Sequence, residues 1–134
     1  EALFRASDVT EGVDFVLEVE PANLTIDADP DLMSQVLINL LRNAAEAARD
    51  HVDSPVVSLS FTAVAGARVQ IEVADNGAGV PEALRQEVFL PFFTTKAKGT
   101  GVGLSLARQV VLAHRGSIGL GTSDSGGALF RILL

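Results

Sequence analysis

No cysteine occurs in the 134 residues. That excludes disulfides and thiolate metal sites and agrees with a reducing, cytosolic setting. Histidine is scarce as well, with only His51 and His114, so a zinc centre is not expected. No apolar run approaches the length of a membrane span, and the first residues do not read as a basic-then-apolar leader. Positive charge is sparse: ten Lys and Arg against seventeen Asp and Glu give a net charge of −7. Such a balance argues against a nucleic-acid surface. Only two basic residues are lysines, Lys96 and Lys98, and they lie together. An acidic protein that binds a polyanion needs local positive charge or donors, and that segment is the place to look for them.

What is present reads as globular, 48% hydrophobic and 20% charged. The length suits one domain with a real core. The chain opens mid-pattern at Glu1 and ends on Leu133-Leu134 within a strand-like pattern. The expectation is therefore one domain, 1–134, excised from a longer chain.

Alternation marks the strands. Val13, Phe15, Leu17 and Val19 interleave with Asp14, Val16, Glu18 and Glu20, a period of two. Pro21-Ala22-Asn23 turns the chain, and Leu24-Thr25-Ile26 reads as a short second strand. Asp29 is the expected N-cap and Pro30 the first position of a helix over 30–51. Its apolar face holds Leu32, Met33, Val36, Leu37, Leu40, Leu41, Ala44, Ala45 and Ala48. Gln35, Asn39, Asn43 and Glu46 form a polar stripe beside that face. Val57, Leu59 and Phe61, then Val69, Ile71 and Val73, predict an antiparallel hairpin that delivers Asp75 to a strand end. A short helix is expected over 81–88 and another over 101–114. Strands at 117–123 and 128–134 close the chain around Asp124-Ser125-Gly126-Gly127. The fold class is α+β, with helices on one face of a mixed, mostly antiparallel sheet.

Several stretches invite a chemical reading beside a structural one. Asn39 and Asn43 are mediocre helix formers wedged between Leu and Ala. Either they bridge other polar groups, or an amide oxygen faces a hard cation such as magnesium, which keeps water and phosphate oxygens. Asp75-Asn76-Gly77-Ala78-Gly79 contains Asn-Gly, a hairpin signal. A Pro-led segment follows it instead of a strand. An Asp at a strand end can also accept from an exocyclic amine, which adenine has and guanine lacks at the same position. Gly99-Thr100-Gly101-Val102-Gly103 leads into the helix at Leu104. It is either a flexible loop or a set of N–H groups at the positive end of a helix dipole, a phosphate site in form. It matches neither a P-loop nor a Rossmann fingerprint. Phe89, Phe92 and Phe93 are three of seven phenylalanines and read as a small satellite core. Such rings can also anchor a lid, Thr94 to Lys98, whose lysines approach phosphates or remain solvated. His51 and His114 end helices, where a cation suits the dipole, and read as structural.

Together these stretches resemble the ATP-binding catalytic domain of bacterial two-component sensor histidine kinases, within the wider group that shares a Bergerat-type nucleotide fold. Gln35-Val36-Leu37-Ile38-Asn39-Leu40-Leu41-Arg42-Asn43-Ala44 is similar to the N box, and Asp75-Asn76-Gly77-Ala78-Gly79 to the G1 box. Phe89-Leu90-Pro91-Phe92-Phe93 resembles the F box, and Gly99 to Leu104 the G2 box. Four boxes in order cover roughly Asp29 to Gly116. The resemblance implies a two-layer α/β sandwich that uses ATP and Mg2+. It implies that Asn43 holds the metal, with Asn39 close to metal or phosphates, and that both serve catalysis. Asp75 would read the adenine amine, with Gly77 and Gly79 at the base. Lys96, Lys98, Gly99, Thr100, Gly101, Val102, Gly103 and Leu104 would supply the lid and the phosphate cradle.

The implied reaction is γ-phosphoryl transfer to a histidine on a separate dimerisation domain. That domain would make the parent a homodimer, a response regulator would act downstream, and no nucleic acid is implied. The domain would be cytoplasmic, its parent either anchored in the inner membrane or soluble. Related ATPases such as type II topoisomerases carry Glu four residues before the metal Asn, as a general base. This chain has Asn39 there, and an amide cannot take the proton, which favours a histidine kinase over an ATPase. A nucleotide-binding module without transfer is the other alternative. Three departures stand out: Glu46 where many members have Lys or Arg, Arg115 before Gly116 where Gly-Gly is common, and Ala128 where a hydroxyl residue is common. No phosphoacceptor-histidine helix lies in these residues.

Overall fold

The alternating segments form a five-stranded sheet in the computed structural model, which describes residues 12–90 and 103–134. Its strands are β1 (Asp14–Glu20), β2 (Val56–Val64), β3 (Arg68–Asp75), β4 (Ser117–Thr122) and β5 (Ala128–Leu133). Their order across the sheet is β1-β2-β3-β5-β4. β1 runs parallel to β2, and the other neighbours are antiparallel. A parallel pair needs a long crossover, and helix α1 (Pro30–His51) lies within it.

Residues opposite one another share a sheet face. Leu17 lies opposite Leu59, Leu59 opposite Val73, and Val73 opposite Phe130, so one face is apolar across four strands. α1 and the second helix, α2 (Gly103–Ala113), cover that face. Leu40, Leu41, Ile71 and Ile132 are fully buried between the layers. Each contributes about 1.5–3 kcal/mol relative to exposure.

α1 begins where its cap dictates. Asp29 Oδ1 accepts from the backbone nitrogens of Asp31 and Leu32, both at 3.0 Å. Pro30 follows, where no N–H is needed. α2 ends with Arg115 in the left-handed region at φ 61°, and Gly116 N–H donates back to the Val111 carbonyl at 3.0 Å.

Two expectations are corrected. The segment 81–88 is not one helix. It forms two 3-10 turns, Glu82–Leu84 and Glu87–Phe89. Each turn closes with an i→i+3 bond, Leu84 N to the Pro81 carbonyl and Leu90 N to the Glu87 carbonyl, both at 2.9 Å. The segment 24–26 is not a strand. Leu24 and Ile26 pack on the core and alternate with exposed Thr25, but this segment has no place in the sheet. Period two identified extended chain there, and a ladder partner is a separate requirement.

Candidate functional site

Asn39, Asn43 and Ala47 occupy successive four-residue steps along α1. Each step rises about 6 Å, so Asn39 and Ala47 lie about 12 Å apart along the axis with Asn43 midway. Both asparagines are half-buried. Gly103, which opens α2, lies over Asn39. A Cβ added there would sit 3.7 Å from Asn39 Cγ and 3.8 Å from Oδ1. Gly77, just past β3, lies over Ala47. A Cβ there would come within 2.8 Å of the Ala47 carbonyl carbon and oxygen. Absence of a side chain lets the turn after β3 close on the helix backbone. The row of Asn39, Asn43 and Ala47 therefore runs from the start of α2 to the turn after β3.

Asp75 ends β3 and is 3% exposed. Its Oδ1 accepts from Gly77 N at 2.8 Å and from Ala128 N at 3.1 Å. Its carbonyl accepts from Ser123 Oγ at 2.7 Å and from Ser125 Oγ at 3.2 Å. Gly127 closes over the same residue, and a Cβ there would collide with the Asp75 carbonyl and carboxylate. Gly79 adopts φ 79°, a conformation that excludes most side chains. The Asn-Gly pair does not form a hairpin. Asn76 Oδ1 accepts from Val56 N at 2.9 Å, and its Nδ2 donates to the Ser54 carbonyl at 3.0 Å. Asn76 thus ties the turn to the start of β2.

Of the remaining expected site residues, Lys96, Lys98, Gly99, Thr100, Gly101 and Val102 lie outside the described residues, as do Phe92, Phe93 and the lid over 94–98. Leu104 is described and packs, partly buried, against the core. Phe89 belongs to the main core and not to a satellite. Its ring meets Phe130 edge-on at 6.2 Å between centroids. Sequence reasoning missed Ser123, Ser125 and the Ala128 N–H as partners of Asp75. Ser123 is 48 positions away in the chain, and no local spacing signals that contact. Among the described residues no group of three His, Asp or Glu is placed to hold a metal. A cation here would rely on an amide oxygen, water and phosphate, the ligands that magnesium accepts.

A buried carboxylate beside a Gly-lined turn, two asparagines and a glycine at a helix start thus lie along one side of α1. The family model described as histidine kinase-, DNA gyrase B- and HSP90-like ATPase matches residues 28–134, and the chain belongs to that family. It is 35% identical over 132 residues to the signal transduction histidine-protein kinase AtoS of Escherichia coli (strain K12), covering 98% of this chain and 21% of that protein. It is 40% identical over 109 residues to the sensor histidine kinase ZraS of Escherichia coli O157:H7, covering 81% of this chain and 23% of that protein. The chain thus spans about a fifth to a quarter of the length of these relatives. The nucleotide-free catalytic domain of histidine kinase ThkA superposes with a TM-score of 0.85 at 29% identity, covering 99% of this chain and 89% of that one. Full-length ShkA in complex with AMPPNP gives 0.82 at 28% identity, covering 98% of this chain and 28% of that one. The expected two-layer α/β sandwich and the expected family both hold.

Proposed function

We propose that this chain binds Mg-ATP and transfers its γ-phosphoryl group to a histidine on a separate dimerisation domain. The observation that carries the reading is Asp75. Its carboxylate is buried, and its Oδ1 is committed to two backbone donors at the end of a turn that closes on α1. We assign Oδ2 to the exocyclic amine of adenine, with the Gly77 and Gly79 backbone beside the base. From there the Asn43 position leads about 12 Å along α1 to the start of α2, a span on the scale of a nucleoside triphosphate. Gly103 and Leu104 would offer backbone N–H groups to phosphate there, joined by Gly99, Thr100, Gly101, Val102, Lys96 and Lys98. Asn43 would hold magnesium through its amide oxygen, with Asn39 alongside.

ATP supplies the phosphoryl group, and the protein positions it and neutralises charge. Asn39 puts an amide where a general base would activate water, which favours transfer to an imidazole over hydrolysis. The relatives are named as histidine kinases and are four to five times longer than the matched part. That supports a parent with its own phosphoacceptor domain, dimeric through it and served by a response regulator. No helix among the described residues is long and apolar enough to cross a membrane. We place the domain in the cytoplasm, where ATP is supplied, whether or not the parent is anchored.

Calorimetry of the chain with Mg-ATP and Mg-GTP tests the reading. ATP is expected to bind at least about ten-fold more tightly, because guanine presents a carbonyl to the Asp75 carboxylate. Equal affinities would remove the adenine assignment.

A further inference from the structure

His114 follows the last residue of α2, and both of its ring nitrogens are engaged. Nε2 lies 3.0 Å from the backbone nitrogen of Asp29, and Nδ1 lies 2.8 Å from the Val110 carbonyl oxygen. A backbone N–H only donates and a carbonyl only accepts. In this arrangement Nε2 accepts from Asp29 N–H and Nδ1 donates to the Val110 carbonyl. The Val110 bond fixes the ring on its own helix. The Asp29 bond crosses to the residue whose carboxylate caps α1.

That crossing has mechanical weight because α2 is the shorter helix and has fewer buried residues than α1. α2 buries Ser105, Ala107 and Val111, with Leu104 and Val110 partly buried against the core, while α1 buries eight residues. Leu106 and Leu112 point away from the core and are 50% and 53% exposed. The two helices pack on each other; in addition His114 bonds to Asp29 N–H at one end of α2, and Gly103 lies against Asn39 at the other. An eleven-residue helix is about 16 Å long, so a tilt of about 4° displaces its far end by about 1 Å. Displacements of about 1 Å at reacting groups can lower rates about a hundred-fold.

We propose that His114 is a positioning residue: its bond to Asp29 N–H sets the start of α2 against Asn39 and Asn43, and so sets the phosphate and metal end of the site. The proposal rests on the nucleotide reading above. Three variants separate it from a packing role. His114→Gln places an amide oxygen near Nε2 and keeps an acceptor for Asp29. His114→Asn places its amide near Nδ1 and cannot reach Asp29. His114→Phe keeps the ring volume and neither bond.

Each variant of the 134-residue chain is titrated with Mg-AMPPNP and with adenosine, and the Asp29 amide exchange rate is read by NMR. His114→Gln should stay within about three-fold of wild type, and His114→Asn and His114→Phe should lose about ten-fold or more for Mg-AMPPNP with adenosine affinity unchanged. Asp29 exchange should be slow in wild type and His114→Gln and fast in the other two. Equal behaviour of Gln and Asn would overturn the proposal, as would parallel loss of adenosine and Mg-AMPPNP. If His114→Phe fails to fold, the Gln and Asn pair decides alone. Wild type that binds no Mg-AMPPNP overturns the nucleotide reading and the positioning role with it, even if Asp29 exchange shows the bond intact.

Discussion

Asp75→Asn separates recognition from folding. In the native chain Oδ1 takes bonds from Gly77 N and Ala128 N at 2.8 and 3.1 Å. An asparagine carbonyl can accept both, so the turn keeps its partners. These bonds become neutral, and charge-assisted bonds are about twice as strong, so a stability loss of about 1 kcal/mol is expected. The larger effect falls on the ligand. The assigned amine acceptor, Oδ2, becomes an NH2 donor that faces another donor. Losing a bond to a charged group removes about 1.5–3 kcal/mol, which is about 10- to 100-fold in Kd. Guanine offers an acceptor at that position, so the preference for ATP over GTP should narrow or invert. Calorimetry with both nucleotides, beside a thermal melt of each protein, measures the two effects separately. A folded variant with unchanged ATP affinity would refute the assignment of Asp75 to adenine.

Gly127→Ala drives a methyl group into the Asp75 backbone and carboxylate, and a loss of about 3 kcal/mol or more is expected in denaturant unfolding. Arg115→Gly relieves a left-handed residue at φ 61°, and a gain of about 0.5–1 kcal/mol should appear as a higher Tm. Asn43→Asp adds a negative charge toward the assigned triphosphate, and Mg-ATP affinity should fall about ten-fold or more by calorimetry. Adenosine affinity should not change in that variant, since its carboxylate lies away from the base.

α1 was legible in full. The Asp29-Pro30 start and the apolar spacing from Met33 to Ala48 are local signals, and the helix spans the expected 30–51. The hairpin of β2 and β3 was legible for the same reason, since two neighbouring alternating runs need only a turn between them. The parallel pairing of β1 with β2 was not, because alternation identifies a strand without naming its partner. Asp75 could be nominated from its place at a strand end. Its support from Ser123, Ser125 and Ala128 is a tertiary contact without a local pattern. The place of Arg115 before Gly116 read only as a departure, and its left-handed φ explains why glycine is favourable there. His114 read as structural at a helix end. Its bond to a second helix was not legible, since its partner Asp29 is 85 positions away.

The central claim is that this chain delivers phosphate from ATP to a histidine outside its own residues. Incubation with γ-labelled ATP and the parent's phosphoacceptor segment tests it directly. The account predicts an acid-labile, base-stable label on a histidine of that segment, lost in Asp75→Asn. Label released only as inorganic phosphate, at a rate unaffected by Asn39→Ala, would contradict it and place the chain among the ATPases.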